Sequence, residues 1–311
     1  TGSIPVGVTI FRQICDGSAI SCRLHWVDSE ILAAAAANPR ITGPDRNWQS
    51  QADKSAVFLP AAGRSLAVCD AHDLVAIGNR DEMHARPAMP VARWPDHPHM
   101  LAGRDIQAGG TWLGLSEQGR FAAVTNLAGH GPPDSSRASR GDLLKDFLSG
   151  AGRYAEIGAG ALADFNPFNL VTIANGEALV HANRPEPVSR PLAPGIHGLT
   201  NGPLDRPWPK AGHLDAALDD WLQGGSENPG PLLDALASRR TYPRAAATVP
   251  GPPAPLEPAS SGIFIDNPVY GTRCSTIVMI DQAGNGSILE RRYDAATAVT
   301  GENRLSFRWP G

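Results

Sequence analysis

The sequence predicts an α+β sandwich, antiparallel sheets covered by helices, and three observations carry that reading. Four hairpin signals are spread along the chain, so neighbouring strands run antiparallel. Only a few amphipathic segments fall between and after them, too few to pair each strand with a crossover helix. The strands are apolar on both faces, as in "LVAIG", which suits sheets covered on each side. With 33 glycines and 28 prolines, turns and long connections are expected around sheets rather than a helical bundle.

Taken in order, a short β-like run, Val6 to Phe11, precedes a helix candidate, "DSEILAAAAANPR", with Asp28 or Ser29 as N-cap and Pro39 as its stop. "ITGPDRNWQSQADKSA" has no clear period. From Ser65 onward "SLAV" and "LVAIG" flank the polar "CDAHD" as a first hairpin. "GGTWLGLSEQGRFAAVTN" is the second, with Gly119 at its turn. "SRASRGDLLKDFLSG" is a helix that starts near Ser139, aligns Leu143, Leu144, Phe147 and Leu148, and stops at Gly150. "FNLVTIANGEALVHANR" is the third hairpin, turning at Asn175-Gly176, and "GHLDAALDDWLQGG" and "PLLDALASRR" are two further helices. A linker rich in proline and alanine, residues 245–261, leads to the last hairpin, "TRCSTIVMID" with "GSILERRYD". The domain is therefore expected over 61–311, with 1–60 an atypical, loosely packed segment. Ser65 to Cys69 is expected to pair with Leu74 to Asn79.

Composition excludes several classes. A chain of 311 residues with 42% hydrophobic and 19% charged residues builds a large core. A net charge of −4 without a basic cluster argues against nucleic acid. No apolar run approaches the roughly 18 residues of a membrane span. Arg12, Asp16, Arg23 and Asp28 interrupt any secretory core, so a cytoplasmic protein is expected. Cys15, Cys22, Cys69 and Cys274 lack C-x-x-C spacing, and "HPH" at 97–99 lacks a third ligand, so no metal site is expected.

The stretch "LVAIGNRDEMHARPAMP" poses the functional question. An apolar strand ends in Asn79-Arg80-Asp81-Glu82, and this is either a salt-bridged strand terminus or a ligand-holding pair at the mouth of a site. "GNRDEMHARP", "AGGTWLG", "AVTN", "SRG", "GIHGLTNGPLDRPWPK" and "YGTRCSTIVMID" follow one another in this order. Together they resemble the NRDE family, also called the transport and Golgi organisation family, over about Ser65 to Asp294. That family in turn looks like N-terminal-nucleophile hydrolases of the conjugated bile acid hydrolase and penicillin V acylase branch. The resemblance implies a four-layer αββα sandwich. It also implies a site made of Arg80 and Asp81, Asn126 in "AVTN", Asn201 in "GLTN" and Arg273 in "GTRCS", around one concave surface. Asn79, Glu82, His84, Trp112 and His130 are expected to line the ligand.

In such a site a cysteine thiolate attacks an acyl carbon while its own α-amine takes the proton, and asparagine amides donate to the oxyanion. This sequence departs from the template at the nucleophile. With a turn at Ala71-His72, Cys69 falls opposite Leu74 and Arg80 opposite Gly63, which puts that thiol on the order of 20 Å from Arg80. The departure favours binding or trafficking of a small molecule without a required cofactor, and the family resemblance implies haem as candidate cargo, with His84 or His130 as axial ligand. The alternative is a cysteine-type amidohydrolase acting on a linear or cyclic amide.

Overall fold

In a computed structural model, residues 9–13, 72–204, 208–243 and 260–310 are described. The strands are β1 (Thr9–Gln13), β2 (His72–Met83), β3 (Ala88–Trp94), β4 (His97–Asp105), β5 (Leu113–Ser116) and β6 (Arg120–Asn126). Helix α1 (Arg140–Ser149) precedes β7 (Phe168–Ala174), β8 (Glu177–Ala182), β9 (Val188–Pro191) and β10 (Gly195–Leu199). Helices α2 (Pro209–Gln223) and α3 (Gly230–Leu236) follow, then the short strands β11 (Thr241–Pro243) and β12 (Ser260–Gly262). The chain closes on β13 (Tyr270–Asp281), β14 (Asn285–Tyr293) and β15 (Val299–Arg308). One six-stranded sheet has the order β10-β1-β2-β13-β14-β15, and a seven-stranded meander runs β3 to β9.

Two apolar cores show how these layers stack. Leu74 and Ala76 of β2 join Cys274, Val278 and Ile280 of β13 in the core that also holds the second sheet. Val75 and Ile77, with Ile277 and Met279, instead meet Leu214, Leu218 and Trp221 of α2 and Leu232 and Leu236 of α3. Successive side chains of a strand alternate between faces, so β2 is sandwiched between a sheet and a helix layer. Helix α1 covers the outer face of the second sheet, where Leu148 packs over Gly114. The result is the four-layer αββα sandwich. Among the described residues no helix is long and apolar enough to cross a membrane.

The helix α1 starts and stops as its sequence dictates. The Ser139 hydroxyl accepts the Gly141 N–H as N-cap, and Gly150 takes the left-handed conformation (φ 68°) at the C-terminus. Asn175 and Gly176 both have positive φ, as the two-residue turn between β7 and β8 requires.

The N-terminal expectation is corrected. Thr9–Gln13 forms an interior strand, hydrogen-bonded to Leu74–Gly78 on one side and to Gly195–Leu199 on the other. The edge of β2 that Ser65 to Cys69 was expected to occupy is therefore filled by β1, and the domain does not begin at residue 61. The reason is packing: an unfilled edge beside a strand buried on both faces leaves backbone N–H and C=O groups without partners. Residues 65–69, the helix candidate at 29–37 and most of the 245–261 linker lie outside the described residues.

The start of α1 packs closely on the β4–β5 connection at Gly110. A Cβ there would sit 2.2 Å from the Gly141 carbonyl carbon, while the Thr111 N–H donates to the Gly141 carbonyl. Gly110→Ala is expected to destabilise the fold by about 1–3 kcal/mol through overpacking, read as a lower urea midpoint at unchanged slope.

Candidate functional site

The end of β2 carries four polar residues in succession, and the strand's alternation decides where each goes. Arg80 and Glu82 share the face of Leu74 and Ala76 and point between the sheets. Asn79 and Asp81 share the face of Val75 and Ile77 and point into the helix layer. All four are buried. Arg80 and Asp81 are therefore neither a salt bridge nor two walls of one cavity. Of the five residues expected to ring one concave surface, Arg80, Asp81, Asn126, Asn201 and Arg273, the first two direct their side chains to opposite faces of β2.

Between the sheets, the Arg80 guanidinium lies 4.4 Å from the centroid of the Trp112 ring and donates to Asp105 Oδ2 at 3.3 Å. The same carboxylate oxygen takes Arg86 Nε at 2.6 Å, while Oδ1 accepts the Gln107 and Ala108 N–H groups. Glu82 completes the cluster, 4.0 Å from Arg80 and 3.7 Å from Arg86. Burial raises the Glu82 pKa, against the opposing pull of the Met83 N–H, Arg80 and Arg86. Arg140, at the start of α1, donates to the Pro167 carbonyl. Burial pushes its pKa down to about 10, with Glu82 opposing and Arg86 reinforcing that shift. Asp105 and Arg140 were not singled out from the sequence. Asp105 reads there as an ordinary turn former, and the signal for Arg140 was its place in "SRG".

On the helix side, Asp81 accepts the Thr272 hydroxyl at 2.6 Å, and Tyr270 donates to the Asp81 carbonyl. Complete burial pushes the Asp81 carboxyl up to about 7, against the pull of buried Lys210 and of Thr272. Lys210 was also missed, although it stands four residues before Leu214 and eight before Leu218, in phase with the buried face of α2. Asn79 donates to the Leu236 carbonyl at the end of α3 and to the Ile263 carbonyl, and accepts the Ser275 hydroxyl. With both of its N–H groups engaged, Asn79 is a clamp that closes the last turn of α3.

The remaining candidates gather at the same end of the sandwich. Leu199 pairs with Thr9, which pairs with Gly78, so Thr200 and Asn201 leave the sheet at the level of Asn79, about 10 Å away across two strand spacings. Asn201 donates to the Asn126 carbonyl at 2.8 Å. Thr125 and Asn169 both donate to the Thr200 carbonyl, which ties this segment to the second sheet. Arg273 is the extra residue of a bulge, because Thr272 pairs with Asp81 and Cys274 with Arg80. Its guanidinium donates to the Met83 and His84 carbonyls. The His84 ring donates from Nε2 to the Asn267 carbonyl at 2.8 Å and braces the loop before β13. His130 is half-buried after β6, between Gly129 and Gly131, and burial and Arg184 lower its pKa.

The only cysteine within the described residues, Cys274, faces the inter-sheet core opposite Arg80. Complete burial, reinforced by Glu290, pushes its thiol well above the ordinary range, so it supplies no thiolate. Cys15, Cys22 and Cys69 lie outside the described residues. Within the described residues no three histidine, cysteine or carboxylate side chains are grouped to hold a metal.

Comparison with known proteins decides the family. The Transport and Golgi organisation 2 profile matches residues 65–295. The chain belongs to the Transport and Golgi organisation 2 family. It is 30% identical over 246 residues to the bovine Transport and Golgi organization protein 2 homolog, spanning 71% of this chain and 87% of the bovine one. The human homolog is 29% identical over 247 residues, with the same coverage. Among solved structures the chain resembles a penicillin V acylase from Agrobacterium tumefaciens (TM-score 0.38, 14% identity, 76% of this chain and 82% of that one). It also resembles a mutant conjugated bile acid hydrolase from Clostridium perfringens (TM-score 0.41, 10% identity, 75% and 88%).

Two outcomes follow from the buried charges of this family member. Asp105→Ala leaves Arg80 and Arg86 buried without their shared acceptor and is expected to cost about 3–5 kcal/mol in urea unfolding. Asp81 holds its proton in the fold up to about pH 7, whereas the unfolded chain releases it near 4. Its contribution is therefore complete below pH 4 and is lost as pH rises to 7. The stability of Asp81→Asn relative to the parent should rise across that window by up to about 4 kcal/mol, read from unfolding curves at stepped pH.

Proposed function

We propose that this protein binds or carries a small molecule non-covalently at the end of the sandwich where β2, β6, β10 and β13 converge. The observation that supports this reading most directly is the state of the reactive groups there. Arg80, Glu82, Arg86 and Asp105 form one buried network, and the neighbouring thiol of Cys274 is protonated and enclosed. A thiol amidase needs a thiolate beside Arg80. β1, which enters this end of the sheet, reads Thr-Ile-Phe-Arg-Gln. The relatives are named for transport and Golgi organisation.

Haem is the cargo that best suits the loop after β6. Burial and Arg184 lower the His130 pKa, which favours the neutral imidazole that ligates iron, and the nearby Arg184 supplies a cation for a propionate. His84 is less suited, since its Nε2 already holds the Asn267 carbonyl. Titration with hemin is expected to give a saturable Soret shift that His130→Ala weakens at least tenfold and His84→Ala leaves within about twofold. Absence of a saturable shift removes haem as cargo. Burst release of a chromogenic acyl leaving group, abolished by iodoacetamide, would overturn the non-covalent reading and favour the amidohydrolase.

A further inference from the structure

Four strands end the two large sheets, and three of them are blunted. β10 has five residues and follows Pro194. β9 has four and finishes in Pro191. β3 contains Pro90 and loses register between Met89 and Ala92. β15 is different. It has ten residues, VTGENRLSFR, and no proline. Among the described residues no strand pairs with its outer edge. Short length, proline, bulges and charged side chains keep an edge from pairing with another chain; along Glu302–Arg308 β15 has only the charges, Glu302, Arg304 and Arg308, and its one bulge lies at Thr300.

The direction of its backbone groups can be assigned. The Trp309 N–H donates to the Gly284 carbonyl, continuing the β14–β15 register, in which Asn285 opposes Arg308. Hydrogen-bonded pairs alternate along an antiparallel ladder, so Phe307, Leu305 and Asn303 bond to β14. Glu302, Arg304, Ser306 and Arg308 then direct their N–H and C=O groups away from the sheet. The Ser306 carbonyl fits this assignment, since it accepts the Arg93 guanidinium from outside β14 at 3.3 Å. The side chains of those four residues are also exposed.

We propose that β15 pairs antiparallel with β15 of a second copy of this chain, about a twofold axis at Asn303. Charge selects that register. Centred on Asn303, Glu302 lies opposite Arg304 of the second copy, twice over. Centred one residue either way, the strand sets Glu302 against Glu302 or Arg304 against Arg304, which is destabilising. Centred on Leu305, it sets Glu302 against Arg308, whose guanidinium already holds the Asn285 side chain. A single strand pair of this length falls below the roughly 1,200 Å² of a standard interface, so the dimer is weak and concentration-dependent.

Sedimentation equilibrium of the full chain over a range of concentrations tests this pairing. A monomer–dimer equilibrium is expected, weakened at least tenfold by Glu302→Arg alone and by Arg304→Glu alone, which is about 1.4 kcal/mol or more. Each single variant sets like charges together in its own homodimer. An equimolar mixture of the two should associate again, because every cross pair is then of opposite sign. The mixture also shows that neither variant is simply misfolded. Asn303→Cys places two thiols at a non-hydrogen-bonded pair, about 4.5 Å apart at Cα, and should form an intermolecular disulfide under mild oxidation. A chain that stays monomeric, a dimer unaffected by both single changes, or a mixture that fails to associate overturns the proposal.

Discussion

The structure depends on one strand being buried on both faces. β2 has a sheet on one side and two helices on the other, and every residue from Leu74 to Glu82 is buried. A strand in that position carries no solvent face on which to place a charge. Each polar group at its end must then be answered by a partner from one of the two layers. Arg80 and Glu82 are answered from the second sheet by Asp105, Arg86 and Trp112. Asn79 and Asp81 are answered from the helix layer and β13 by the α3 carbonyl, Thr272 and Lys210.

This division sets the energetics of the molecule. Buried charges lose their hydration, and the attraction between them recovers that loss only when their geometry is well satisfied. Asp105 is the centre of the arrangement, since one oxygen serves two guanidiniums and the other accepts two backbone N–H groups. Such a network contributes less to stability than to uniqueness: slipping β2 by one residue would send Arg80 into the apolar helix layer and Asp81 against the second sheet. The bulge at Arg273 belongs to the same device, because it lets Thr272 face Asp81 while Cys274 faces Arg80.

The sheet that carries this strand also sets how the domain meets its surroundings. β1 closes one side of β2 with residues far away in sequence, and β10 delivers Asn201 from the same sheet to the backbone of Asn126 in the other. The two sheets are thereby stitched at the end where polar residues accumulate. The opposite margin of the six-stranded sheet finishes in β15, whose exposed charges either repel a second strand or select one, depending on register.

The sequence by itself determined the parts that follow from local rules. Alternation and turn residues located most hairpins, Ser139 and Gly150 bounded α1, and the ordered motifs pointed to the family and the layered fold. It also named Arg80, Asp81, Asn126, Asn201 and Arg273 as site residues. Tertiary structure decided what no local pattern contains. The partner of β2 is Thr9–Gln13 rather than the adjacent 65–69, because strand pairing is settled by which segment best fills a buried edge, not by proximity in the chain. Asp105, Arg140 and Lys210 acquire their roles from neighbours brought from distant positions, which no local pattern marks. Arg80 and Asp81, adjacent in sequence, serve different layers because a pleated strand turns successive side chains to opposite faces and both faces here are covered.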